Sequence, residues 1–471
     1  MKMRESVNFG PQALLPKLAA ALFAVIAGYL LIQIALTGSS RAFYGIIWLM
    51  AALISLHSPG LLITHIYPFL ASYSNVPIPF GSLVFSMERA ILLLVLAGML
   101  AHLAIRGIRW PAIPRRFTLA SLALLLGCLP SLLAYPTSDS MAGYWSLIQK
   151  VLFVVIVLVF VDSESQLRTA TRAMIFSFLV ASIAGFGVVI ATGDLGAVRF
   201  KAASGSGEQI LLSLSGALDL AIIAGIFCLA EIETAKSKRA RTLWSIIAVI
   251  LFVGSTLTIR RQLLLGIGLV CLQIMFDKKG LSKPIRKSFL ILCLIFGLGF
   301  ILSSQVWVQR LNEPINWEDD SRLVLMRIGL SAWQESPLIG TGPWSFRMAA
   351  SRASRSFASD KALYDQDTVF SSHNSFLTFL VESGVVGLAG AVFFLILMAI
   401  QFWPNSKSSL PNYASVHARL ANVAFAQVIM FWWFGEGHTM SVIWYIIGLL
   451  IASTLIVNGQ AARREQAIKR V

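Results

Sequence analysis

Arg260 and Arg261 stand side by side directly after an apolar run, with no acidic residue within a turn to satisfy them. Paired guanidiniums present forked donors that suit the many acceptor oxygens of a diphosphate better than any single carboxylate. His373 is the second group able to do chemistry. It precedes Asn374 and Ser375 at the start of a long apolar run, and an imidazole with an ordinary pKa near 6.5 can take a proton from a hydroxyl at neutral pH. Arg322 and Arg327 lie in the hydrophilic stretch between these two positions, while Arg89 and Lys150 fall in or beside earlier apolar runs. Two readings stand for the last pair: Arg89 pairs with Glu88 or snorkels and Lys150 snorkels outward, or both join a cationic entrance.

The elements that must position these residues are apolar helices. Of 471 residues 57% are hydrophobic and 13% charged, which excludes an ordinary soluble domain and implies a polytopic all-α integral membrane protein. Apolar runs recur at 15–36, 83–105, 117–134, 145–161, 172–192, 210–231, 242–258, 262–276, 289–304, 375–401, 418–434 and 441–457. That predicts about 12 transmembrane helices, or 14 if the runs 42–57 and 59–71 cross the membrane. Ser58-Pro59-Gly60 breaks those two runs and equally suits a re-entrant hairpin.

The net charge of +16 is distributed by side. Arg106, Arg109, Arg115 and Arg116, then Lys236, Lys238, Arg239 and Arg241, then Lys278 to Lys287, then Arg463 to Arg470, occupy alternate connections. This is the positive-inside pattern with both termini cytoplasmic, so the basic balance records topology and not nucleic-acid binding. The first apolar run lacks a small-residue cleavage site and is expected to be a first span. Cys128, Cys228, Cys271 and Cys293 fall singly in apolar runs, as inert packing residues would. No zinc, P-loop or redox motif occurs, and neither a cofactor nor a metal is expected.

The chain divides into an N-terminal bundle (1–304), a long hydrophilic loop domain (305–372), C-terminal spans (373–457) and a cytoplasmic tail (458–471). Parity puts the loop outside, in a periplasm. Its segment 321–333 has helical apolar spacing and suits the membrane surface. Pro337 to Pro343 must bend sharply, and Arg347, Arg352 and Arg355 make the next stretch basic. Asp365-Gln366-Asp367 resembles a nucleotide-sugar metal motif but reads as solvated surface. His438, in Gly435-Glu436-Gly437-His438, is a weaker candidate than His373. Glu382 lies nine residues after His373, about 13 Å deeper on the opposite helix face, and is expected to anchor a polar group of a neighbouring helix. Gly384, Gly387 and Gly390 suit close helix packing, and Asp219 falls inside the apolar run 210–231, where it is expected to be a buried polar residue.

Taken in order, Thr258 to Arg261, Arg322, Trp333 with Pro337 to Pro343, His373-Asn374-Ser375-Phe376 and Glu382 to Gly387 resemble the O-antigen ligase and polymerase family. Ile259 stands where that family often has a small residue, which leaves open whether Arg260 or Arg261 holds the family position. The resemblance implies a metal-independent, GT-C-like membrane glycosyltransferase. Its donor would be an undecaprenyl-diphosphate-linked glycan, its acceptor a glycan or lipid A core, and its setting the periplasmic face of a bacterial inner membrane. His373, Arg260, Arg261 and Arg322 would then be catalytic, with Arg89, Lys150, Arg327 and Asn374 binding the diphosphate or lipid of the donor. Ligation of O-antigen to lipid A core is favoured slightly over polymerisation of repeat units. A lipid-linked glycan flippase is the alternative from another class; it would need polar groups across the bilayer midplane, whereas the charges cluster at one face and only Asp219 and Glu382 are clearly inside.

Overall fold

In the computed structural model, residues 54–55, 58–70, 77–80, 83–106, 111, 113–192, 208–257, 266–268, 270–272, 291, 321–354, 372–403, 412–435 and 437–468 are described. For 77–90, 101–106, 192, 208–215, 321–322, 324, 354 and 461–468 the description extends to the backbone alone. The elements in chain order are α1 (Pro59–Leu70), β1 (Pro77–Phe80), β2 (Leu83–Ser86), α2 (Met87–Arg106), α3 (Arg115–Ala134), α4 (Ser138–Phe160), α5 (Glu164–Thr192) and α6 (Glu208–Thr234). They continue with α7 (Lys238–Thr256), α8 (Ser321–Gln334), α9 (Phe346–Ser354), α10 (Ser375–Phe402), α11 (Tyr413–Phe434) and α12 (Ser441–Ile468).

Among the described residues seven helices, α3, α4, α5, α7, α10, α11 and α12, are long and apolar enough to cross a membrane. Of the other expected spans, 210–231 lies within α6 and most of 83–105 within α2, whereas 15–36, 262–276 and 289–304 fall largely outside the described residues. The run expected at 83–105 begins instead in β2, which pairs antiparallel with β1 so that Phe80 faces Leu83 and Pro77 faces Ser86. Pro77 and Pro79 explain the strand, because two prolines this close cannot donate in a helix ladder.

Pro59–Leu70 is a short helix of about 18 Å, too short to span. Pro59 sits at its first position, where a missing N–H costs nothing. Leu62 and Ile63 are fully buried, and the Tyr445 hydroxyl donates to the Ile63 carbonyl at 2.7 Å. The second arm of the expected hairpin is thus buried in protein; most of 42–57 lies outside the described residues.

The core is built by helix pairs. α10 packs along α3, α6 along both α5 and α7, and α12 against α4 and α11. Small residues set the α3–α10 distance: a Cβ on Gly390 would come 2.5 Å from the Ala123 carbonyl, and one on Gly127 3.3 Å from the Gly390 Cα. Lipid gives no hydrophobic push between helices, so such close backbone approach is what holds them together.

The two ends of the bundle differ. At one end the Arg168 and Arg172 guanidiniums both donate to Glu231, whose side chain is fully buried. Arg168 also lies 5.0 Å over the Tyr413 ring and Arg172 5.5 Å over Trp244, tying α5, α6, α7 and α11 together. Arg116 donates to the Ile400 carbonyl at the same end. The opposite end carries the segment 335–345, the start of α10 and the α11–α12 turn.

Candidate functional site

At that opposite end α10 is broken. Gly384 has φ +65° and ψ −166°, outside the helical region. In an unbroken helix Val385 would donate to Val381, and Val386 to Glu382. Here Val385 and Val386 donate to the carbonyls of Pro337 and Leu338, at 2.9 and 3.2 Å. The freed carbonyls of Val381 and Glu382 accept from Thr341 and Gly342, at 3.0 and 2.9 Å. The loop segment replaces both missing helix bonds, the condition for a broken helix at membrane depth.

Glycine is required on both sides of this exchange. Gly340 and Gly342 have φ +72° and +109°. A Cβ on Gly384 would sit 2.2 Å from the Leu338 carbonyl oxygen, and one on Gly340 2.3 Å from Glu382. The sharp bend expected of Pro337 to Pro343 is present. Its purpose was not legible, because the partner lies 40 residues away. The part of α10 after the break, 385–402, is about 27 Å long and can cover the hydrocarbon core alone.

Glu382 anchors the loop domain. Its Oε1 accepts from the Phe346 backbone N–H at 3.1 Å, at the start of α9, where a helix has unsatisfied donors and favours negative charge. Ser131 of α3, which the sequence did not single out, donates to the Glu382 carbonyl at 2.5 Å and accepts from Gly342 N–H at 3.0 Å. The expected role of Glu382 as an anchor holds, although its partner is a loop helix. The loop helix expected from 321 onward is α8, which buries Ile328 and Ala332 against α9 and α10 and leaves Arg327 exposed.

His373 lies exposed just before α10, with φ +50°. Asn374 is the N-cap: its side chain accepts from Phe376 and Leu377 N–H at 2.9 and 3.1 Å. The Ser372 and Thr378 hydroxyls lie 2.6 Å apart, and Ser375 donates to the Gly435 carbonyl at 3.1 Å. His373 is therefore held on a capped helix end tied to the α11–α12 turn. Asn374 is committed to the cap through its side-chain oxygen.

Behind it lies a pocket of about 30 Å³, lined by Tyr144, Lys150, Trp344, Glu382, His438 and Thr439 among others. Lys150 is 7% exposed and its ammonium donates to the Ser441 hydroxyl, so it does not snorkel into water. α4 places it facing α12, against which α4 packs. His438 is buried; its Nδ1 has no hydrogen-bond partner among the described residues. Burial first, and the Lys150 charge second, push its pKa down to about 3, so the ring is neutral at neutral pH. The Trp444 indole donates to the His438 carbonyl and fixes the turn. A phosphate in so small a pocket would sit within several Å of the Glu382 carboxylate. The Lys150 ammonium lines the same pocket and offsets that repulsion, so the pair gives the lining no net formal charge to hold an anion.

Of the other expected residues, Arg89 is in the first turn of α2 and Arg322 in the first turn of α8, placed by backbone only. Arg260 and Arg261 lie outside the described residues, as do Asp365 to Asp367. His438 was ranked low on sequence because its position alone did not reveal that Lys150 and Glu382 share its pocket.

A bundle of apolar helices with a hydrophilic segment stitched into a broken span at one end defines a multi-span helical membrane protein. Residues 206–392 match the family model described as O-Antigen ligase. The matched region is similar to that family and contains Arg260, Arg261, Arg322, His373 and Glu382. No curated protein matches the chain.

Proposed function

We propose that the chain transfers a glycan from undecaprenyl diphosphate to an acceptor hydroxyl at the periplasmic face of an inner membrane, most simply O-antigen to lipid A core. The observation that carries this reading is the ligase-domain match, which spans both the arginine pair and His373. His373 takes the proton as the acceptor oxygen attacks the anomeric carbon. The bond from that carbon to the phosphate oxygen breaks, and the diphosphate leaves with the electron pair. Attack opposite the leaving group inverts the anomeric centre.

Arg260, Arg261 and Arg322 hold the charge developing on the diphosphate, with Arg89 and Arg327 in reserve. Lys150, buried beside Glu382, suits a neutral part of the substrate better than its phosphates. In this reading the bundle holds the donor, the loop shapes the pocket and α10 presents His373.

Purified protein in detergent with lipid-diphosphate glycan and acceptor tests the reading. Transfer without a membrane barrier is expected, unaffected by chelator, with product of inverted configuration by NMR. His373→Ala should lose about 10²–10⁴-fold, and Arg260→Ala, Arg261→Ala or Arg322→Ala about 10²–10³-fold. Full turnover by His373→Ala would remove the histidine mechanism. In cells, loss of a ligase accumulates long lipid-linked polymer, whereas loss of a polymerase leaves single-unit caps.

A further inference from the structure

We propose that the pocket between α4, the broken part of α10, Pro343-Trp344 and the α11–α12 turn binds one edge of a sugar ring through its hydroxyl groups. This deepens the glycan-transfer reading above and rests on it. Three observations carry it. The first is the mixed chemistry of the lining: Lys150 brings an ammonium donor, Glu382 a carboxylate acceptor, Thr439 a hydroxyl, and Tyr144 a phenol oxygen that can accept while its proton goes to the Leu125 carbonyl. The formal charges of Lys150 and Glu382 cancel, so the lining suits a neutral group that both donates and accepts, which a hydroxyl does and a phosphate does not.

The second is His438. A buried imidazole nitrogen without a partner is costly unless something supplies the missing bond. The ring packs 4.8 Å from Phe379 and 6.1 Å from Trp432, on a turn that the Trp444 bond to the His438 carbonyl fixes. A ligand hydroxyl reaching the pocket can complete it.

The third is Trp344. It is half exposed at the rim with φ +63°, a conformation that non-glycine residues rarely hold. It is locked against Gly143, where a Cβ would come 2.6 Å from the Trp344 Cβ. A rigid, half-exposed indole beside a polar pocket offers an apolar face to the C–H face of a sugar, while the pocket takes the hydroxyl edge. The volume of about 30 Å³ admits one or two hydroxyl-sized groups, so a ring edge fits and a whole residue does not.

The full-length protein in detergent is tested by saturation-transfer NMR with free glucose, galactose, rhamnose and N-acetylglucosamine, and with their monodeoxy analogues. At least one sugar should bind, with saturation concentrated on one ring edge. Removing a hydroxyl on that edge should weaken binding about tenfold, the size of one hydrogen bond to a charged group. In His438→Asn and Lys150→Met the same deoxy sugar should show little further loss, because the missing partner has already gone. Inorganic pyrophosphate should not displace the sugar. Binding blind to every deoxy position, absence of binding across the panel, or displacement by pyrophosphate would each overturn the proposal.

Turnover separates the two readings. If lipid-linked glycan is transferred and the KM of His438→Asn equals that of wild type, the pocket assignment is wrong and the transfer reading stands. If the edge-specific sugar binding is seen but no transfer occurs, the pocket stands and the transfer reading fails. An increase of about tenfold in KM, with a far smaller change in kcat, is the expected result.

Discussion

His373 holds a backbone conformation that its side chain does not favour. At φ +50° an L-residue costs about 1–2 kcal/mol relative to glycine, which pays no Cβ penalty. The Asn374 cap and the Ser372–Thr378 contact hold it there. His373→Gly should therefore melt at or above the wild-type temperature in detergent while losing transfer by about 10²-fold or more. Earlier melting of the glycine variant would contradict the strain. His438 gives a pH dependence. Its folded pKa of about 3 lies below the ordinary 6.5, so the unfolded chain takes the proton first. Its contribution to stability is full above about pH 6.5 and declines as pH falls toward 3. The drop in melting temperature between pH 7 and pH 4.5 should shrink in His438→Gln; an equal drop would show that other groups set it.

At the scale of elements, the break in α10 is the joint on which the loop domain hangs. Gly384→Ala forces a side chain into the Leu338 carbonyl at a positive φ, and roughly 2–4 kcal/mol should be lost. The expected signature is faster proteolysis within 335–345 together with earlier melting. The charged clamp at the other end makes an asymmetric prediction. Glu231 is fully buried, whereas the Arg168 and Arg172 side chains are 30% and 41% exposed. Removing both arginines strands a buried carboxylate and should cost about 3–5 kcal/mol. Glu231→Ala leaves two arginines that can turn to water and should cost about 1–2 kcal/mol. Thermal denaturation of the two variants checks the order, and the reverse order would mean that the arginines carry no share of the packing.

At the scale of the molecule, Arg116, Arg168 and Arg172 mark one end of the bundle, and the broken helix, its docked loop and the pocket mark the other. With the four native cysteines replaced, a cysteine at the exposed Ser237 should react with an impermeant maleimide only after cells are permeabilised, and one at Leu338 in intact cells. The opposite labelling would invert the topology and remove the periplasmic reading. The sequence alone determined the membrane class, most of the span-forming segments, the side expected for each connection and the ordered motifs that resemble the family. Hydropathy and charge are properties of short windows, so they are legible without a fold. Tertiary structure alone decided that 337–342 and 381–386 form one hydrogen-bonded unit and that Ser131 supports it. It also decided that Lys150 shares a buried pocket with Glu382 and His438. Those facts depend on polar groups finding partners from 40 to 291 residues away, which no local pattern encodes.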